Sequence, residues 1–138
     1  MNALKTLHKD KLLQVTKNQK KDILYLTWTN QCTNVLKEDL KGRLDAINKI
    51  LQKHHPTRIL INLYFCDYFI EPDNYRWYEK TMFSIIDLDK QVRLAIVVPQ
   101  NLFVHASFEA TRIALEKEKL PVQYFIDSEK AEHWLMIA

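Results

Sequence analysis

Glycine is almost missing from this 138-residue chain, which contains only Gly42. Glycine-rich phosphate cradles need several residues without a Cβ, so that backbone N–H groups can close on an anion. Walker-type loops, dinucleotide fingerprints and Gly-x-Ser-x-Gly elbows are therefore excluded. Cysteine is scarce too: Cys32 and Cys66 stand 34 residues apart without a C-x-x-C pair. That pattern implies neither a zinc framework nor a disulfide scaffold and fits a reduced, cytoplasmic setting. Long apolar runs are lacking, since the longest, residues 59–70, is broken by Asn62 and Asp67 and falls short of the roughly 20 residues a membrane crossing needs. The opening MNALKTLHKDK has no apolar core of a signal peptide, because Lys5 and Lys9 interrupt it. The five histidines show no metal-ligand spacing, so no metal and no cofactor is expected.

What is present is enough for one ordinary globular domain spanning residues 1–138. Hydrophobic residues make up 47% of the chain, which excludes intrinsic disorder. The formal net charge of +3 is unevenly spread, with six lysines against Asp10 alone in the first 21 residues. Such a basic segment can meet an acidic surface, but it equally serves as a solvated edge that discourages strand-to-strand aggregation. Nucleic-acid binding is not expected, because the lysines lack interleaved arginines and no reader motif occurs.

Leu12, Leu13 and Val15, a polar turn containing Asn18, and then Ile23 to Trp28 predict an antiparallel opening hairpin. Leu36, Leu40, Leu44, Ile47 and Leu51 recur at helical spacing, predicting a helix that starts near Thr33 or Asn34 and stops before Pro56. Residues 58–63 read as a strand covered on both faces, and Pro72 opens a second helix carrying Trp77, Tyr78, Met82, Ile85 and Ile86 inward. Residues 92–98 form another buried strand. A third helix is expected near 104–119, with Val104, Phe108, Ala114 and Leu115 inward, then a strand at 122–126. Asp127 or Ser128 caps a last helix holding Ala131, Trp134 and Leu135. The order β-β-α-β-α-β-α-β-α predicts an α/β domain: a five-stranded, mainly parallel sheet, an antiparallel N-terminal edge strand and about four helices.

That element order, the strand pair 59–62 and 95–98, Trp77, and the tail Tyr124-Phe-Ile-Asp-Ser-Glu-Lys-Ala-Glu-His-Trp-Leu135 resemble the SpoIIAA-like family. This family belongs to the STAS (sulphate transporter and anti-sigma-factor antagonist) group of folds. The resemblance implies a non-catalytic cytoplasmic module that binds protein partners or a small ligand. In regulatory members a serine at the start of the helix after the central strand is phosphorylated. Residues 63–74 contain no Ser or Thr, Glu71-Pro72 stands in that place, and Asn62 replaces the usual Asp, so that switch does not carry over.

Two constellations remain. Cys66 with His105 is the one nucleophile–base pair such a fold brings together, at the carboxyl ends of neighbouring strands. Without glycine-turn oxyanion donors, a small buried cysteine is the stronger reading, and no enzyme is expected. The second is aromatic: eight of the chain's aromatics fall within residues 64–83. One helix and one loop cannot bury them all, so Tyr64, Phe69, Tyr75 and Tyr78 are expected to form a dimer or partner surface, with Trp77, Phe83 and one of Phe65 or Phe69 in the core. The alternative is a carrier of a small apolar or lipid-like ligand, held at the carboxyl ends of the strands by Tyr68, Asn101 and His105.

Overall fold

The computed structural model describes residues 4–32, 35–86, 92–105 and 121–137. It is a mixed α/β fold built on a six-stranded sheet: β1 (Leu4–Lys9), β2 (Leu13–Asn18), β3 (Ile23–Trp28), β4 (Arg58–Asn62), β5 (Arg93–Val97) and β6 (Val122–Phe125). The strands lie side by side in chain order. β1, β2 and β3 form an antiparallel meander, and β3 to β6 run parallel. The helices are α1 (Lys37–His54), α2 (Pro72–Ile85), α3, described over residues 100–105, and α4 (Ser128–Met136).

The expected edge strand is thus not the outermost one, because β1 adds a sixth strand beyond it. Its sequence, LKTLHK, hides little apolar surface: only Leu7 packs on the core. Backbone pairing to β2, with a bulge between Thr6 and His8, defines it, and hydrophobic periodicity carries no trace of that. Lysines 5 and 9 and the bulge are devices that blunt an exposed edge.

Period-two alternation through the parallel strands explains how both faces are covered. Leu24, Ile59, Leu94 and Val122 lie in one register row, and Leu26, Ile61, Ile96 and Tyr124 in the next, all on one face. Against them pack Leu40, Leu44, Ile47 and Leu51 of α1, Tyr75, Tyr78 and Met82 of α2, and Leu102 of α3. Placing successive crossover helices on one face is what right-handed connections between adjacent parallel strands require. The opposite face, with Ile23, Leu60, Ala95 and Val97, is closed by Ala131 and Leu135 of α4.

The helix starts and stops show which local signals hold. α1 begins at Lys37 behind Leu36, which is 65% exposed and provides no side-chain cap, so Leu36 is not part of the buried stripe. The helix ends on His55 in a left-handed conformation (φ 46°) just before Pro56. Pro72 opens α2 as expected, and Asp127 caps α4 by accepting from the N–H groups of Glu129 and Lys130. Trp77 and Phe83 are half-buried against the core. The third helix is already formed at residue 100, and Val104 is 78% exposed instead of inward; Phe108, Ala114 and Leu115 lie outside the described residues. The negative end of α4 is held by two arginines from strand starts: Arg58 donates to the Leu135 carbonyl, and Arg93 donates to those of Trp134 and Ile137 while lying over the Trp134 ring. No helix among the described residues is long and apolar enough to cross a membrane.

Candidate functional site

Ligand crevices in open α/β sheets form outside the carboxyl ends of the strands where strand order reverses. Here the order never reverses, and the carboxyl rim is correspondingly filled in. Among the described residues it includes the β1–β2 turn, the one-turn 3-10 helix Asn30–Cys32 after β3, residues 63–70 after β4, and residues 99–101 after β5.

The first segment is tied down by Asp10. Its Oδ1 accepts from the N–H groups of Leu12 and Leu13, and its Oδ2 meets His8 Nε2 at 2.6 Å and Arg43 Nε at 3.2 Å. Partial burial pushes the carboxyl pKa up, but these hydrogen bonds and the Arg43 charge outweigh it and hold it at about 2. Thr29 joins the turn to β3, through its N–H to the Leu12 carbonyl and its hydroxyl to that of Lys11.

Beneath the rim the 3-10 helices Asn30–Cys32 and Asp67–Ile70 pack together and bring Cys32 and Cys66 into contact. Both cysteines are reduced and fully buried, and their thiols lie close enough to shift each other's pKa. The neighbouring Cys66 thiol lowers the Cys32 pKa, with Arg43 adding to the effect against the opposing cost of burial. The Cys66 pKa is driven well up by the neighbouring Cys32 thiol, by burial and by the Cys32 charge. The pair lies in the same buried cluster as Trp28, Phe69 and Tyr78, whose rings meet edge-on or tilted. Trp28 Nε1 donates to the Tyr78 hydroxyl at 3.0 Å, which satisfies a fully buried indole.

The residues singled out from sequence are scattered by this geometry. Phe69, Tyr75 and Tyr78 are buried in the core and so are withdrawn from any partner surface, because the 3-10 helix Asp67–Ile70 turns the first and α2 the other two toward the sheet. Tyr64 remains outside at 48% exposed, joined by Phe65 at 54%, with ring centroids 5.2 Å apart in an edge-to-face pair. Tyr64 also lines an open depression of about 540 Å³ with Pro99, Gln100 and Asn101. Tyr68 is half-buried, and its carbonyl accepts from Asn74; neither it nor His105 lines that depression. His105 Nε2 accepts from Arg76 at 2.9 Å, while Cys66 is fully buried beside Cys32, in line with the reading of a small buried cysteine over a Cys66–His105 pair.

Two features escaped the sequence reading. One is the cysteine contact, whose only signal was that each cysteine follows a strand end and that the two strands are neighbours. The other is Glu79, buried on α2, whose Oε2 accepts from Tyr75 Oη at 2.8 Å and also from Tyr124 Oη. Burial, then the neighbouring Tyr124 and Glu79, keep the Tyr75 hydroxyl protonated well above its usual range.

The more enclosed apolar space lies at the opposite, amino end of the strands. A cavity of about 410 Å³ opens between α1 and α2, lined by Leu51, His55, Pro56, Ile59, Ile86 and Val92 among others. No group of three or more metal-ligating side chains occurs among the described residues. No family model, curated protein or solved structure matches this chain.

Proposed function

We propose that this chain is a non-enzymatic, cytoplasmic binding module of the SpoIIAA-like, STAS kind, acting by protein contact at the carboxyl rim of its sheet. The observation that carries this reading is the exposed Tyr64–Phe65 pair beside the depression floored by Pro99, Gln100 and Asn101. Two large aromatics held outward on a short loop offer much contact area at little entropic cost, which is what partner surfaces use. Val104 lies one helical turn beyond Gln100, on the same side of α3, and extends the apolar area. A thiol hydrolase is disfavoured by the engagement of Cys66 with Cys32 and of His105 with Arg76. Regulation by phosphorylation at the start of α2 is not part of the proposal: Glu71 and Pro72 occupy the cap and first turn there.

Affinity capture with the tagged full chain, compared with a Tyr64→Ser/Phe65→Ser variant, tests the reading. The expected result is a protein partner recovered with the natural sequence and lost with the variant, whose circular dichroism is unchanged. Equal recovery by both, or turnover of a compound abolished by one rim substitution, overturns it.

A second reading has its own observation. The cavity between α1 and α2 falls in the volume range of small-molecule sites and is mostly apolar, which favours a carrier of a small apolar ligand at the amino end instead of the carboxyl end. Saturable binding of a fluorescent fatty acid, lost in Ile59→Trp, is the expected sign of it.

A further inference from the structure

We propose that Cys32 and Cys66 are a paired modification site that closes to an intramolecular disulfide when the protein meets a low-molecular-weight disulfide such as oxidised glutathione. The placement is a product of the topology. β3 and β4 are parallel neighbours, each is followed at its carboxyl end by a single 3-10 turn, and Cys32 closes the first turn while Cys66 stands immediately before the second. The two turns pack against each other and both cysteines lie in one buried cluster, where each thiol shifts the other's pKa, so the sulfurs are near neighbours and rotation of the short side chains is the movement that bonding needs.

Access follows from the same loops. Each cysteine is buried directly after two exposed residues, Asn30 and Gln31 for Cys32, and Tyr64 and Phe65 for Cys66. A local opening of either short turn, well below global unfolding, exposes a sulfur to solvent.

The two thiols are not equivalent, which sets the order of events. Cys32 gives up its proton more readily, because the Cys66 S–H supports its thiolate and Arg43 lies near. The Cys32 thiolate attacks one sulfur of oxidised glutathione, the glutathione S–S bond breaks, and one glutathione thiolate leaves. Cys66 then attacks the Cys32 sulfur of the mixed disulfide and expels the second glutathione. The two thiol protons end on the two glutathione molecules, so two protein thiols are oxidised and one small disulfide is reduced. Oxidised glutathione is the only co-reactant required.

The experiment equilibrates the full chain in glutathione buffers from fully reduced to fully oxidised, quenches with acid, alkylates with a maleimide under denaturing conditions and weighs the intact protein. In the oxidised buffers the expected product takes up no maleimide, has lost the mass of two hydrogens and joins the Cys32 and Cys66 peptides. Its thermal midpoint rises by about 10 °C, as closing a loop of this length predicts. Cys66→Ser is expected to stop at one bound glutathione on Cys32. Should that variant fail to fold, the mass of the natural sequence still decides. Two alkylated thiols in the fully oxidised buffer overturn the assignment, as do persistent glutathione adducts on the natural sequence or disulfide-linked dimers.

Discussion

Asp10 is the side chain whose ionisation matters most to the rim. Its carboxyl pKa, about 2 in the folded chain against 3.8 ordinarily, means the carboxylate contributes stability above about pH 4, and that this contribution is lost as the pH falls through 2. Screening by the solvent around it limits the contribution to on the order of 1 kcal/mol. Asp10→Asn is expected to lower the urea midpoint at pH 7 and to reduce the loss of stability between pH 4 and pH 2, which denaturation at a series of pH values would read. Tyr78 offers a sharper case, because its hydroxyl accepts from a fully buried indole. Tyr78→Phe keeps the ring and removes the acceptor, so the orphaned Trp28 N–H should cost about 1 to 3 kcal/mol in equilibrium unfolding. At this scale the sequence was a partial guide. The aromatic cluster was visible as a count, but which rings turn inward depends on the rotation of α2 and on the path of the 3-10 turn before it, and Phe69, Tyr75 and Tyr78 went to the core while Tyr64 and Phe65 stayed out.

The helices divide into those whose signals are local and those set by their surroundings. The stripe Leu40, Leu44, Ile47, Leu51 and the Asp127 cap could be read directly, since both are short-range patterns that packing then uses. β1 could not, because a half-exposed edge strand is held by main-chain pairing instead of by burial of its side chains. The start of α1 was misplaced because Leu36, apolar and in phase, sits where the helix begins and faces water. The contact between Cys32 and Cys66 was equally hidden: it depends on which strands are neighbours, a property of the whole sheet. Gly42 lies in mid-helix on α1, where an added Cβ meets nothing within 4 Å. Gly42→Ala is therefore expected to raise stability by about 1 kcal/mol, seen as a higher thermal midpoint. Asp127→Ala should lower it by a similar amount through the lost cap of α4.

Across the molecule, one face of the parallel sheet is covered by α1, α2 and the start of α3, while α4 closes part of the other and is clamped by Arg58 and Arg93. Deleting residues 127–138 would uncover Ile23, Leu60, Ala95 and Val97 together, take from Arg93 the Trp134 and Ile137 carbonyls it donates to, and leave Arg58 with the Lys21 carbonyl in place of Leu135. The shortened chain is expected to bind a hydrophobic dye and to move from the soluble to the pelleted fraction at low concentration. The chain-order arrangement of the strands has a consequence during synthesis as well. Each strand leaving the ribosome finds its neighbour already laid down, so the sheet can grow edgewise from its amino-terminal meander without a strand held waiting for a later one. The exception is the flank closed by α4, where nascent apolar side chains stay wet until residues 128–136 have emerged, and that interval is when a chaperone would find most to hold.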